Sequence, residues 1–165
     1  MLTAYKLVSL VGDKRKSFVT PDQEWALEYS TEEWTESGVG PILCFDRDIR
    51  SSWGVWGWAK KIRKGWKEEY GNIAWELWIV EIEEPVTVDW VLVMDLYDEK
   101  RFTERMEILW SDELFKKTAF NTYHNAGNWT GPLGYWQFGE PPDGTIGAKR
   151  IRLLERVQKP VRSYT

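Results

Sequence analysis

The run Trp75–Ile82 carries apolar side chains at both parities: Trp75, Leu77 and Ile79 at one, Trp78, Val80 and Ile82 at the other. Successive strand residues point to opposite faces, so a strand of this kind has no face it can leave in water. It must be covered on both sides, which predicts a central strand in a sheet.

Other segments supply strands to flank it. Ala4–Val11 and Lys16–Thr20 stand on either side of Gly12-Asp13-Lys14, the punctuation of a hairpin. Trp25–Ser30 reads as a short strand, ended by the acidic, turn-prone stretch Thr31–Gly40. Pro41–Phe45 is a continuous apolar run suited to a buried strand, with proline tolerable only at its start. After Glu83-Glu84-Pro85, Val86–Met94 predicts another strand, and Phe102–Trp110 a further one, although a helix also fits there. Ser111 suits the cap of a short helix, Asp112–Lys117. Ala148–Val157 sets Ile151 and Leu153 against Arg150 and Arg152, a closing strand with one wet face.

Helical spacing is clearest at Ile49, Trp53, Trp56, Ala59, Ile62 and Trp66, which recur every three or four residues. Asp46 or Asp48 suits the start of that helix, and basic residues crowd its far end, as the helix dipole favours. Gly54 and Gly57 each cost ~1 kcal/mol in a helix interior, so either another backbone packs closely there or the helix is broken. The expected fold class is α+β, mostly antiparallel sheet with one long amphipathic helix and one short helix. One domain spanning residues 1–165 suits the length, and no repeat or low-complexity tract marks a boundary.

The chain is rich in indole: 12 Trp beside 7 Tyr and 6 Phe. Most of these belong to a core, because each buried aromatic removes ~150–250 Å² from water. The expectation is that some are surplus to the core and line a groove, since tryptophan supplies rigid contact area and a donor at recognition surfaces.

Charge is segregated although the formal net charge is only −4. Residues 47–67 contain Arg47, Arg50, Lys60, Lys61, Arg63, Lys64 and Lys67 against Asp48 alone, residues 68–99 are acidic without Lys or Arg, and residues 149–165 are basic again. Such blocks can steer partners of opposite sign. The acidic block argues against broad duplex-DNA binding, which needs an extended positive surface.

Two regions are candidate ligand sites. Trp53, Trp56, Arg63, Lys64 and Trp66 interleave indoles with cations, a mixture on which bases stack while cations meet phosphate. Residues 121–147 form a long loop rich in Gly, Pro and Asn, where Tyr123, Asn125, Trp129 and Trp136 offer the amides and aromatics of a small-ligand pocket. Candidate catalytic groups are few. Glu81 and Glu83 share a strand face by the period of two, and His124 is the only imidazole. Cys44 sits in an apolar run, where a thiol is inert. One Cys and one His exclude the common zinc constellations, so neither metal nor cofactor is expected. No apolar run spans a bilayer and no leader pattern follows Met1, so a cytoplasmic location is expected.

Several pieces in order resemble small uncharacterised proteins of phages and prophages: Tyr5-Lys6-Leu7-Val8, Gly12-Asp13-Lys14, Ser17-Phe18-Val19, Glu28-Tyr29-Ser30, Glu33-Trp34 and Gly40–Asp46. A helix, the strand Trp75–Glu83 and the closing segment Pro142–Leu154 continue the likeness over much of the chain, each piece short. The resemblance implies a phage accessory protein in the host cytoplasm, one countering a host system, and transfers no catalytic residue. A weaker likeness is to small ADP-ribosyltransferase-like proteins, in which Glu81 or Glu83 would take the catalytic glutamate's place. The first strand lacks that family's Arg or His, and no Ser-Thr-Ser follows. The expectation is thus a non-enzymatic binding protein or inhibitor whose partner is a host protein or a nucleotide-like ligand. The alternatives are a nucleotide-acting enzyme and a single-stranded nucleic-acid binder.

Overall fold

The computed structural model describes residues 1–18, 21–38, 41–47, 54–65, 72–88, 91–92, 100, 103–104, 128–131, 134–139 and 143–157. In chain order its elements are β1 (Leu2–Val11), β2 (Lys14–Ser17), β3 (Glu28–Tyr29), β4 (Thr35–Glu36), β5 (Ile42–Phe45), α1 (Val55–Gly65) and β6 (Trp75–Glu83). There follow β7 (Val86–Thr87), β8 (Val91–Leu92), β9 (Asn128–Gly131), β10 (Gly134–Gly139), β11 (Thr145–Ala148) and β12 (Arg150–Arg156). They fall into two compact units. One comprises Met1–Ser37, Pro41–Thr87 and Pro142–Thr165; the other comprises Gly38–Gly40 and Val88–Pro141.

The first unit holds an antiparallel sheet in the order β4-β12-β6-β1-β5-β11-β7, with β2 joining β1 to β3. As its two-sided apolar pattern requires, β6 is interior, paired with β1 from Trp75 to Ile82 and with β12 on its other edge. The far edge of β1 is shared: Tyr5 meets Phe45 of β5, and Val8–Val11 pair with β2. The Ser30 carbonyl, just past β3, accepts the Leu153 amide of β12 at 2.9 Å. Hydrogen bonds therefore run a complete circuit, β1-β2-β3-β12-β6-β1, as in a small barrel.

The sheet's two faces have separate cores. Ala4 and Val8 of β1, Trp78, Val80 and Ile82 of β6, and Ile151 and Leu153 of β12 pack with Tyr29, Ile42, Cys44 and Ala148 on one face. On the other, Leu7, Trp75 and Leu77 are covered by Val55 and Ala59 of α1 together with Phe18 and Phe45. An aromatic cluster fills this second core. Phe18 meets Trp75 edge-on at 5.9 Å between centroids, and Trp56 and Trp58 lie within 5.6 Å of Trp75 and Phe18 respectively.

The expected long amphipathic helix is corrected. α1 is an 11-residue helix beginning at Val55, and no acidic residue lies in its first turn. Asp46 does not start it, because its amide donates to the Gly144 carbonyl at 2.8 Å and so extends the pairing of β5 with β11. Gly54 occupies the start instead, its carbonyl accepting the Trp58 amide at 3.0 Å. Glycine there avoids the cost it would carry in the interior, since it is well tolerated at an N-cap. Among the described residues the fold is thus a mostly antiparallel sheet in which α1 is short, and no long amphipathic helix is present. The expected helix Asp112–Lys117 lies outside the described residues. Thr103 and Glu104 are helical, where a strand was expected from Phe102; the rest of that span is also outside them.

The second unit contains the antiparallel set β8-β10-β9. Part of the stretch read as an irregular loop is in fact a hairpin, with Trp129 and Trp136 as register partners. No helix among the described residues is long and apolar enough to cross a membrane.

Candidate functional site

Strand alternation sends Glu81 and Glu83 to one face of β6, the parity opposite the buried Ile82. On the adjoining strand β12, the same alternation turns Arg150 and Arg152 away from Ile151 and Leu153. Register places Arg150 opposite Glu83 and Arg152 opposite Glu81. Arg150 grips Glu83 with two N–H groups, Nη2 to Oε1 at 3.0 Å and Nε to Oε2 at 2.5 Å. Arg152 Nη2 donates to Glu81 Oε2 at 2.6 Å. The Arg150 hydrogen bonds hold the Glu83 carboxyl below the usual carboxylate range, and Glu83 in turn raises the Arg150 guanidinium. Over both guanidiniums lies the ring of Trp34, 4.6 Å from Arg150 and 5.1 Å from Arg152. The result is a half-exposed ladder of two arginines, each anchored by its own carboxylate, under one indole.

A second polar constellation lies at the other end of β6. Glu76 shares its parity with Trp78, Val80 and Ile82 and is fully buried. Its Oε1 accepts Arg15 Nε at 2.9 Å and Trp78 Nε1 at 3.1 Å, and its Oε2 accepts Arg156 Nη1 at 3.1 Å. The Arg15 guanidinium stacks 4.8 Å from the Trp78 ring. The same face also buries Lys6, whose Nζ donates to the Leu43 carbonyl at 2.7 Å and stands 5.3 Å from the Tyr29 ring. Burial lowers the Lys6 ammonium to about 8 and pushes the neighbouring Cys44 thiol up to about 12. A thiol held protonated in this way is not a nucleophile at neutral pH.

Of the residues singled out by sequence, the structure brings Glu81 and Glu83 together on one face, each paired with arginine. Of the expected cation–indole site, the described members are Trp56, Arg63 and Lys64 on α1. Trp56 is half-buried against Trp75, and Arg63 is fully buried. Arg63 Nη1 donates to the Phe18 carbonyl at 3.1 Å and Nη2 to Ser9 Oγ, with its guanidinium 4.3 Å from the Phe18 ring. Its long stem lets it cross the apolar face and satisfy backbone beneath. Of the described members of that group, Lys64 is exposed. Trp53, Trp66, Tyr123, Asn125 and His124 lie outside the described residues, and Trp129 and Trp136 are placed only by their register.

The residues that sequence reading missed are Lys6, Arg15, Trp34, Glu76, Arg150, Arg152 and Arg156. For Lys6 and Glu76 a signal existed, namely a charge at a parity otherwise occupied by apolar residues. Among the described residues no group of three or more His, Cys, Asp or Glu side chains could hold a metal ion. No protein-family model, curated protein or solved structure matches the chain.

Proposed function

We propose that the chain is a non-enzymatic binding protein that docks a protein partner on the β6–β12 face, as a phage-type accessory protein acting on a host protein would. The observation that carries this reading is the Trp34–Arg150–Arg152 ladder. Tryptophan and arginine are the side chains that most often dominate binding energy at interfaces. Here Glu81 and Glu83 fix both guanidiniums before any partner arrives, which lowers the entropy lost on docking. The same pairing weighs against the enzymatic alternative. Glu83, whose carboxyl Arg150 holds below the usual carboxylate range, is a poor general acid at neutral pH.

The test is a comparative capture from host lysate with wild type, Trp34→Ala and Arg152→Ala, identified by mass spectrometry. Trp34 is half-buried on the surface of the sheet, so its variant keeps the core intact; circular dichroism checks this. A protein retained by wild type and lost by both variants is the expected result. Equal recovery on all three overturns the reading.

A further inference from the structure

Glu76 is a fully buried carboxylate in the middle of a sheet, a costly place for a charge. Taking an ion out of water costs several kcal/mol, and buried ion networks are often no more stable than well-packed apolar replacements. Yet three strands converge on it: β2 brings Arg15, β6 brings Glu76 and Trp78, and β12 brings Arg156. The carboxylate side chain is 1% exposed, whereas those of Arg15 and Arg156 are 33% and 44% exposed. Within this trio one buried negative charge thus holds two partly exposed positive ones.

The donor inventory points the same way. A guanidinium has five N–H groups in a planar fork. Arg15 gives Glu76 only its Nε–H, and Arg156 gives it only Nη1. Among the described residues their other N–H groups meet no further acceptor. Fixing two arginines on one carboxylate keeps these donors near one another despite like charge, and two preorganised forks suit a tetrahedral oxyanion. Stacking on Trp78 fixes the plane of the Arg15 fork.

We propose that Arg15 and Arg156, oriented by Glu76, form a binding site for a phosphate group. This site is distinct from the Trp34 ladder and does not depend on it. The phosphate is either free or carried by a nucleoside monophosphate. Glu76 acts as a positioning residue, since it touches the arginines rather than the ligand.

Titration of the full chain in phosphate-free buffer, with inorganic phosphate in one arm and a nucleoside 5′-monophosphate in the other, tests this by calorimetry and tryptophan fluorescence. Saturable binding is expected. A response to both probes assigns recognition to the phosphate itself; a response to the nucleotide alone assigns it to a nucleotide ligand. Arg156→Gln, altered at a partly exposed position, is expected to weaken binding by about tenfold or more, while Lys149→Gln, at an exposed position outside the site, leaves it unchanged. Thermal midpoints of both variants confirm that the sheet is intact. Absence of saturable binding with either probe overturns the proposal, as does undiminished affinity in Arg156→Gln.

Discussion

Lys6 occupies the same face of β1 as Ala4 and Val8, packed over Tyr29 beside Cys44. Desolvation is the largest influence on it and lowers its pKa from 10.5 to about 8, against a smaller opposing pull from Cys44. The unfolded chain therefore binds more protons than the folded one between those two values, so this group's contribution to stability rises with pH across that window. Cys44 and Tyr29 work in the other direction. Burial raises both above their ordinary values, so at alkaline pH the unfolded chain releases their protons first and stability falls. Comparing wild type with Lys6→Met removes the lysine's own titration while the burial of Cys44 and Tyr29 is common to both, leaving only the smaller Lys6–Cys44 coupling between them. The stability of the methionine variant relative to wild type is expected to decline between pH 8 and about pH 10, by up to about 3 kcal/mol. Urea unfolding at stepped pH measures it, and a difference that stays flat contradicts the assignment.

At the level of elements, what could be read from sequence was what local pattern encodes. The hairpin of β1 and β2 follows from the Gly12-Asp13 punctuation, the strand at Ile42–Phe45 from its continuous apolar run, and the interior place of β6 from its two-sided parity. Two-residue strands such as β3, β4 and β7 are too short to show a period. The helix start was misplaced for a different reason. Asp46 looks like a cap, but its amide is claimed by Gly144, almost a hundred residues away, and no local pattern carries that pairing. The polar sites were hidden likewise: Arg15 and Arg156 reach Glu76 across 61 and 80 residues of chain. Glycine 147 shows how tightly such distant strands are fitted. In the middle of β11 it lies between Leu43 of β5 and Val86 of β7 in register. A Cβ there would stand 2.6 Å from Pro41 Cβ and 2.9 Å from Val86 Cγ2, and the proline ring cannot rotate away. Gly147→Ala is expected to cost about 1–3 kcal/mol in chemical denaturation, as overpacking does. Gly38→Ala, with nothing within 4 Å of the added carbon, should stay within about 0.5 kcal/mol of wild type.

Across the whole molecule, the charge blocks and the indoles both find counterparts within the first unit. The acidic stretch of β6 and the basic stretch of β12 are sheet neighbours, and Glu76, Glu81 and Glu83 each pair with an arginine of β12. None of the six tryptophans with described side chains is fully exposed: Trp75 and Trp78 are buried, and Trp25, Trp34, Trp56 and Trp58 are half-buried. Trp34 is stacked on the guanidiniums of the ladder, whereas Trp56, Trp58 and Trp75 pack in the aromatic core. The chain leaves this unit after Thr87 and re-enters it at Pro142. The described residues that flank this excursion pair antiparallel, with Thr87 opposite Ile146 and Val86 opposite Gly147. In chain order, the second unit's main segment is therefore inserted between two strands that pair as a hairpin. Excising residues 88–141 joins Thr87 to Pro142 and leaves Pro142-Asp143-Gly144-Thr145 as the connection. Four-residue hairpin loops are common, and Gly144 already has the positive φ of 84° that a turn requires. Shortening the loop also reduces the entropy of closing the β7–β11 pair. The shortened chain is expected to fold cooperatively and to keep the Trp56–Trp75–Phe18 cluster, seen as a retained near-ultraviolet dichroism signal. Loss of that signal, or a molten thermal transition, would show that the ladder depends on the inserted segment.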